Sequence, residues 1–345
     1  MFSNSKTVLR FTLIASIRVA NCIRGPFFHG NLKQLTRAEF IPVFAALLFA
    51  RPVVGQAHPD FGGIWSSATA TPLERPAKLK DKPFFTPAEA AEFERALEAQ
   101  NENPVPQSTA SEARTVGTYN RAFFEFGSHV VKTLRTSIIT DPLDGRIPPL
   151  TPEAAAAKRR RQELLRNAAR AQDLGLQDQC LVFPTAVPPM IPYRYNSNYQ
   201  IIQTKDALVI HAEMIHDTRI IPLDRRPHLP SNVRLWLGDS VGHWEGSTLV
   251  VDTTNFNDAG GFYGEAGGMF GSDRNLHVVE RFSFLDADTI LYRFEVDDPS
   301  AFTRPWKGEV TIERSSGPIY EYACHEGNYA LPDILKGFRA HERPN

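Results

Sequence analysis

Residues 320–329, YEYACHEGNY, set a cysteine, a histidine and a glutamate side by side, and residues 211–219, HAEMIHDTR, gather His211, Glu213, His216, Asp217 and Arg219. These residue types ligate metals, form disulfides and move protons. What they can do together depends on the period of the chain that carries them. Read as an extended strand, 207–221 places Leu208, Ile210, Ala212, Met214, His216, Thr218 and Ile220 on one mostly apolar face. His211, Glu213, Asp217 and Arg219 then fall on the other, because successive side chains alternate. His216 is therefore expected to face an apolar interior, as a satisfied core imidazole or as a pocket acid or base tuned near neutrality. Asp217 must point away from it, so their adjacency does not make a dyad. HAEMIH is not the zinc-protease H-E-x-x-H motif, which needs two histidines four apart on one helix face.

The same parity puts Glu321 and His325 on one side of 320–326 and Tyr320, Tyr322, Cys324 and Glu326 on the other, with Gly327 ending the strand. A metal would have to draw on His325 and Glu326 with His211 or His216 from a second strand. No cofactor is expected, and a metal ion held by these residues is the alternative. No phosphate-binding glycine loop and no G-x-S-x-G elbow occurs. The glycine-rich stretch 260–274 is expected to be a mobile loop over the pocket. The candidate catalytic set is thus His216 for proton transfer, His325 and Glu326 as a second acid-base or orienting pair, and Arg135 or Arg219 to stabilise developing negative charge. Tyr195, Asn198, Tyr199, Phe256 and Trp306 are the candidate substrate-binding residues, since YRYNSNYQ at 193–200 mixes aromatics with amides.

The elements that must position these groups change character along the chain. Thr86-Pro87-Ala88-Glu89 and Thr151-Pro152-Glu153 each offer a capping residue and proline at the first helical position, predicting helices over about 86–100 and 151–172. A short strand within 135–151 ends in an Asp-Pro turn. From Tyr195 onward the period is two: 199–204, 207–221, the hairpin 244–256 with Gly246 in its turn, the pair meeting at Asp286-Ala287-Asp288, then GEVTIERS and IYEYACHE. The expected fold is mainly β: an antiparallel, lipocalin-like barrel or strongly curved sheet carrying a helical insertion at about 84–180, with a two-sheet sandwich as the competing architecture.

The chain has 345 residues, with 38 Lys and Arg against 39 Asp and Glu. Lys33 and Arg37 precede the apolar run 40–50, and small residues lead to Ala57, the pattern of a secretory signal. Residues 1–57 are read as that signal with an upstream extension, and 58–345 as one exported domain, periplasmic or extracellular. The apolar run is too short to span a bilayer. Without 1–57 the balance becomes 31 basic against 38 acidic residues, which gives no general attraction for nucleic acid or anionic lipid. Lys158 to Arg161 is read as a solvated helix face. Only Cys180 and Cys324 remain in the exported portion, so a disulfide between them is the expectation.

The stretches RTSIITDPLDGRIPPLT, YNSNYQIIQT, the long run 213–256, ERFSFLDADTILYRFEVDDPSAFTRPW and YEYACHEGNY resemble a family of exported bacterial proteins with no established activity. The likeness implies a full-length member of that family and supplies no reaction. Gly63-Ile64-Trp65 resembles the Gly-x-Trp of the first strand of lipocalin-like barrels. Two functions fit: an exported small-molecule enzyme working by acid-base chemistry without a redox cofactor (lyase, isomerase or hydrolase), or a non-catalytic exported binder. The density of ionisable residues within apolar strands favours the enzyme.

Overall fold

The computed structural model describes residues 58–102, 127–193, 196–257 and 274–342. Residues 1–57 (expected to be a signal with its extension), Tyr195 and nearly all of the glycine-rich loop lie outside them. Among the described residues the fold is mostly β, an antiparallel sheet nearly closed into a barrel, as the alternating pattern predicted. The strands are β1 (Gly63–Ser66), β2 (Ile139–Asp141), β3 (Asn198–Gln203), β4 (Ala207–Ala212), β5 (Thr218–Pro222), β6 (Asp239–Glu245), β7 (Thr248–Thr254), β8 (His277–Asp286), β9 (Thr289–Asp297) and β10 (Trp306–Arg314). They pair in the order β5-β4-β3-β1-β10-β9-β8-β7-β6, and β2 joins the free side of β10 ahead of β1. The helices are α1 (Pro87–Glu102), α2 (Pro152–Arg166) and α3 (Ala330–Glu342).

Local chemistry explains most of these boundaries. Glu89 accepts from the Thr86 backbone N–H at 2.8 Å while the Thr86 hydroxyl accepts from the Glu89 N–H at 3.4 Å, the reciprocal cap foreseen for α1. Thr151 caps α2 through the Ala154 N–H at 3.1 Å. That helix stops at Arg166, short of the expected 172, and a separate turn of 3₁₀ helix follows at Ala171–Asp173. Gly246, at φ 63°, makes the tight β6–β7 connection. Gly308 is needed for a different reason: a Cβ there would sit 2.1 Å from the Phe294 ring.

The inward faces of the strands fill the barrel. Trp65, Trp306, Tyr199, Tyr292, Phe61, Phe282 and Leu208 are all buried in one continuous apolar core. Arg314 lies over the Trp65 ring at 4.2 Å, closing that end of the first strand. A polar cluster is set into this core. Arg219 donates from Nη1 to Glu280 Oε1 at 3.0 Å and from Nη2 to Glu280 Oε2 at 2.5 Å. Tyr292 donates its hydroxyl hydrogen to Glu280 at 2.8 Å and accepts from the Met190 N–H at 2.9 Å. Arg219 also reaches Ser240 Oγ at 3.2 Å, and Ser240 meets Thr253 at 2.9 Å. Burial works to lower the Arg219 pKa, but Glu280 outweighs it and the guanidinium is held above its ordinary value. Burial, followed by the Glu280 charge, drives the Tyr292 hydroxyl well above its own.

Two sequence expectations are corrected. The stretch 207–221 is not one strand: β4 ends at Ala212 and a tight turn follows, with Ile215 at φ 60° and His216 at φ 49°. Ile210 pairs with Arg219 and Leu208 with Ile221, so the inward positions are even on β4 and odd on β5. Ile220 is consequently 65% exposed and Arg219 only 4%. Alternation continues through the letters of the sequence while the chain itself reverses. The second correction is at 320–326, an irregular segment rather than a strand. Its Tyr320 N–H goes to the carboxylate of Glu213 at 3.0 Å instead of to a neighbouring strand. It is followed by α3, which sequence alternation did not anticipate. The expected Cys180–Cys324 disulfide is present and ties this segment to the stretch before β3.

Removing one partner of a buried, bidentate ion pair leaves a desolvated charge and costs about 3–5 kcal/mol. Glu280→Gln should therefore lower the unfolding free energy by about that amount in denaturant titration. The double replacement Arg219→Met with Glu280→Leu should lower it by less than either single change.

Candidate functional site

Most of the described residues among the predicted pocket set pack into the core of the barrel. Tyr199, Phe256 and Trp306 are core side chains, each with no more than 2% of its surface exposed. Tyr199 touches Ser67 Oγ at 3.3 Å, and its burial raises its pKa well above the ordinary tyrosine value. Asn198 donates to Glu213 at 3.4 Å. Arg219 is consumed by Glu280. His216 stands exposed on the β4–β5 turn, which corrects its expected place in the apolar register. His325 and Glu326 are also exposed, and neither lines the ≈ 430 Å³ pocket beside the disulfide, which Asp178, Phe183, Met214, Tyr322 and Asn328 help to form. Next to His216, burial raises Asp217 to about 6, with His216 pulling the other way. Its Oδ2 has no hydrogen-bond partner among the described residues. His216 does not line the pocket beside the disulfide either.

A different constellation lies on the outside of the sheet, where β6, β7 and β8 run side by side. The outward positions of β7 and β8 include Asp252 and His277, and the loop after β5 lays His228 against them. His277 Nε2 is 3.1 Å from both carboxylate oxygens of Asp252. Asp252 Oδ1 is also 3.0 Å from His228 Nε2, and His228 Nδ1 is 2.9 Å from Asp239 Oδ2. Asp239, nearly buried, is fixed further by both Nη atoms of Arg226, at 2.5 and 3.3 Å, and by the Leu229 N–H at 2.8 Å. The result is a chain Asp239–His228–Asp252–His277 running from a buried carboxylate to a part-exposed imidazole. Both nitrogens of His228 face carboxylates, which only accept, so both bonds form when each nitrogen carries a hydrogen.

The charges of the chain follow from these contacts. The hydrogen bond to Asp252 raises His277 above the ordinary histidine value; partial burial opposes this, and the charges of Asp252, Asp297 and Glu295 add to it. Asp252 is held below the ordinary carboxylate range, first by its bond to His277 and against partial burial. Burial pushes Asp239 up, but Arg226, the Leu229 N–H and His228 together overcome it and leave the group lowered.

His277 opens onto a groove of ≈ 590 Å³ across the outer face of β8, β9 and β10, a size suited to a small organic molecule. Arg281, Arg293, Glu295, Lys307 and Glu309 line it, with Arg135 from the segment ahead of β2. Of the predicted site residues, only Arg135 lies in this groove. It donates from Nε to Glu309 at 3.0 Å and stacks on Phe84 at 4.7 Å.

The two outward residues Asp252 and His277 carried a legible signal. In LVVDTTN and HVVERF, period two puts each opposite its apolar neighbours, and consecutive hairpins make the strands adjacent. His228 and Asp239 carried none, since RRPHLP has no period and the contact spans 11 residues of loop. Among the described residues no group of three or more His, Cys, Asp and Glu side chains could hold a metal ion, and no helix is long and apolar enough to cross a membrane. No family model, no curated protein and no solved structure matches the chain.

The raised His277 and lowered Asp252 set the pH dependence of this corner. The histidine's contribution to stability is complete below its ordinary value near pH 6.5 and is lost as pH rises through the raised one. The aspartate's is complete above its unfolded value near 3.9 and is lost as pH falls through the lowered one. Asp252→Asn should bring the His277 ring titration down toward 6.5 when followed by NMR. The stability gap between parent and variant should be widest near pH 5–6 and shrink toward pH 8.

Proposed function

We propose that the protein is an exported small-molecule enzyme that works by acid-base chemistry in the outer groove, with His277 as the proton-transfer group. The observation that carries this reading is the chain of hydrogen bonds from Asp239 through His228 and Asp252 to an imidazole bordering a ligand-sized groove. Asp252 occupies His277 Nε2, which fixes the ring and leaves Nδ1 as the atom that exchanges a proton with a bound molecule. In the neutral ring, Nδ1 takes a proton from the substrate. The imidazolium so formed is stabilised by Asp252, with Asp297 and Glu295 nearby, and Nδ1 then returns the proton to the product or leaving group. Lyase, isomerase and hydrolase reactions all use this cycle, and none of them requires a redox cofactor.

Export is supported by the leader-like composition of residues 1–57 and by the Cys180–Cys324 disulfide, which suits an oxidising compartment. A lipocalin-like description of the barrel is supported by Gly63-x-Trp65 lying in the first strand. A small molecule is favoured over nucleic acid as the ligand, because basic and acidic groups alternate along the groove. The same alternation supports a second reading, a non-catalytic exported binder. Lys307 pairs with Glu295 at 2.7 Å and Arg281 with Glu245 at 2.7 Å, so the groove could hold a polar ligand without transforming it.

A turnover screen of the full chain against small glycosides, phenolic compounds and their carboxylated analogues separates the two. His277→Gln should lower kcat by about 10²–10⁴-fold with substrate binding retained, and His216→Ala should change nothing. Full turnover in His277→Gln would remove the acid-base proposal, and ligand binding without turnover in the parent would favour the binder.

A further inference from the structure

Strand register arranges the groove in three rows. Arg281 stands opposite Arg293, and Arg293 opposite Glu309. Val279, Glu295 and Lys307 form the next row, and His277 with Asp297 the third. At about 3.4 Å per residue, the arginine row and the His277 row are separated by about 14 Å along β8.

Like charges directly opposite on neighbouring strands destabilise a sheet, and Arg281 with Arg293 is such a pair. Core packing does not demand it, because the two side chains are 46% and 56% exposed. Arg135 brings a third guanidinium to the same end of the groove. Among the described residues, two carboxylates answer these three cations. Glu245 bonds Arg281, and the nearly buried Glu309 accepts from Arg293 Nε at 2.7 Å and from Arg135 Nε at 3.0 Å. Burial works to raise the Glu309 pKa, but Arg293 and Arg135 outweigh it and hold the carboxyl below its ordinary range. Glu309 thus stays charged and fixes both guanidiniums through Nε. Their terminal nitrogens make no side-chain hydrogen bond among the described residues, at a groove that both arginines line. A guanidinium presents paired N–H donors that match the two oxygens of a carboxylate or phosphoryl group.

We propose that Arg135, Arg281 and Arg293 bind the oxyanion, a carboxylate or a phosphoryl group, of an elongated small molecule whose other end reaches His277. The anion would supply the third negative charge that the three guanidiniums together lack. The proposal deepens the acid-base reading of His277 by naming the class of molecule, and it rests on that reading only for the second contact.

Calorimetric titration of the full chain at low ionic strength tests it, with sodium acetate and inorganic phosphate as separate probes and sodium chloride at matched ionic strength as control. At least one oxyanion should bind saturably and chloride should not. The affinity should fall about tenfold or more in Arg281→Gln and in Arg293→Gln and remain unchanged in His277→Gln. Arg281→Lys, which keeps the charge and loses the paired donors, should fall between parent and Arg281→Gln. If Arg293→Gln does not fold, the exposed Arg281 series decides. No saturable binding of either oxyanion, equal affinity in the Arg281 variants, or equal competition by chloride would overturn the proposal. Oxyanion binding that needs the arginines, without turnover that needs His277, would remove the acid-base reading and leave this site standing. Turnover that needs His277, without arginine-dependent binding, would do the reverse.

Discussion

The bidentate pair between Arg219 and Glu280 is the constraint on which the rest of the barrel depends. β5 and β6 are the two ends of the sheet, and they lie alongside each other without a backbone ladder. The seam is closed by side chains instead. Arg219 on β5 bonds Ser240 on β6 and Glu280 on β8, while Ile221 and Leu223 approach the bare face of Gly242. Two charges taken out of water are costly unless every donor and acceptor is well placed. Tyr292, Ser240 and Thr253 meet most of that requirement, and the Arg219 Nε has no hydrogen-bond partner among the described residues. A seam held in this way is specified by geometry more than by adhesion.

That choice of interior has a consequence for function. A barrel whose centre holds two tryptophans, two tyrosines and an ion pair cannot also serve as a wide ligand cavity. The groove lined by His277 and Arg281 lies on the outer surface, where the other half of each strand's alternation faces. The same residues in sequence serve both faces: Val278, Glu280 and Phe282 build the core, and His277, Val279 and Arg281 floor the groove. Mutation of the groove should thus be separable from mutation of the core, even though the residues interleave.

The carboxyl-terminal segment adds a further layer. Cys324 is joined to Cys180, Tyr320 donates to Glu213, and α3 sets Leu331, Leu335 and Phe338 against Ala168 and Leu174. Glu213 accepts from Asn196, Asn198 and Tyr320 at once, so the β4–β5 turn and the tail share one carboxylate. A loop of more than 140 residues is closed by the disulfide, which restricts the unfolded chain in particular. In the cluster of cysteine, histidine and glutamate that stands out in the sequence, Cys324 is an anchoring point and His325 and Glu326 are exposed.

Hydrophobic alternation by itself determined that the second half of the chain is a run of antiparallel strands, and cap chemistry determined where α1 and α2 begin. Those are local properties, fixed by which side chains follow one another and which hydroxyl meets which N–H. Sequence also sufficed for the disulfide, since Cys180 and Cys324 are the two cysteines beyond residue 57. It could not find the turn at Glu213 to Asp217, because an alternating pattern is the same for one long strand and for two strands joined by a reversal. Only the tertiary structure decided that Arg219 faces inward, that His216 stands outside, and that His228 and Asp239 complete a hydrogen-bonded chain with Asp252 and His277. Those outcomes depend on strand register and on a loop crossing the sheet, which are set by contacts between residues far apart in the chain and leave no periodic trace in it.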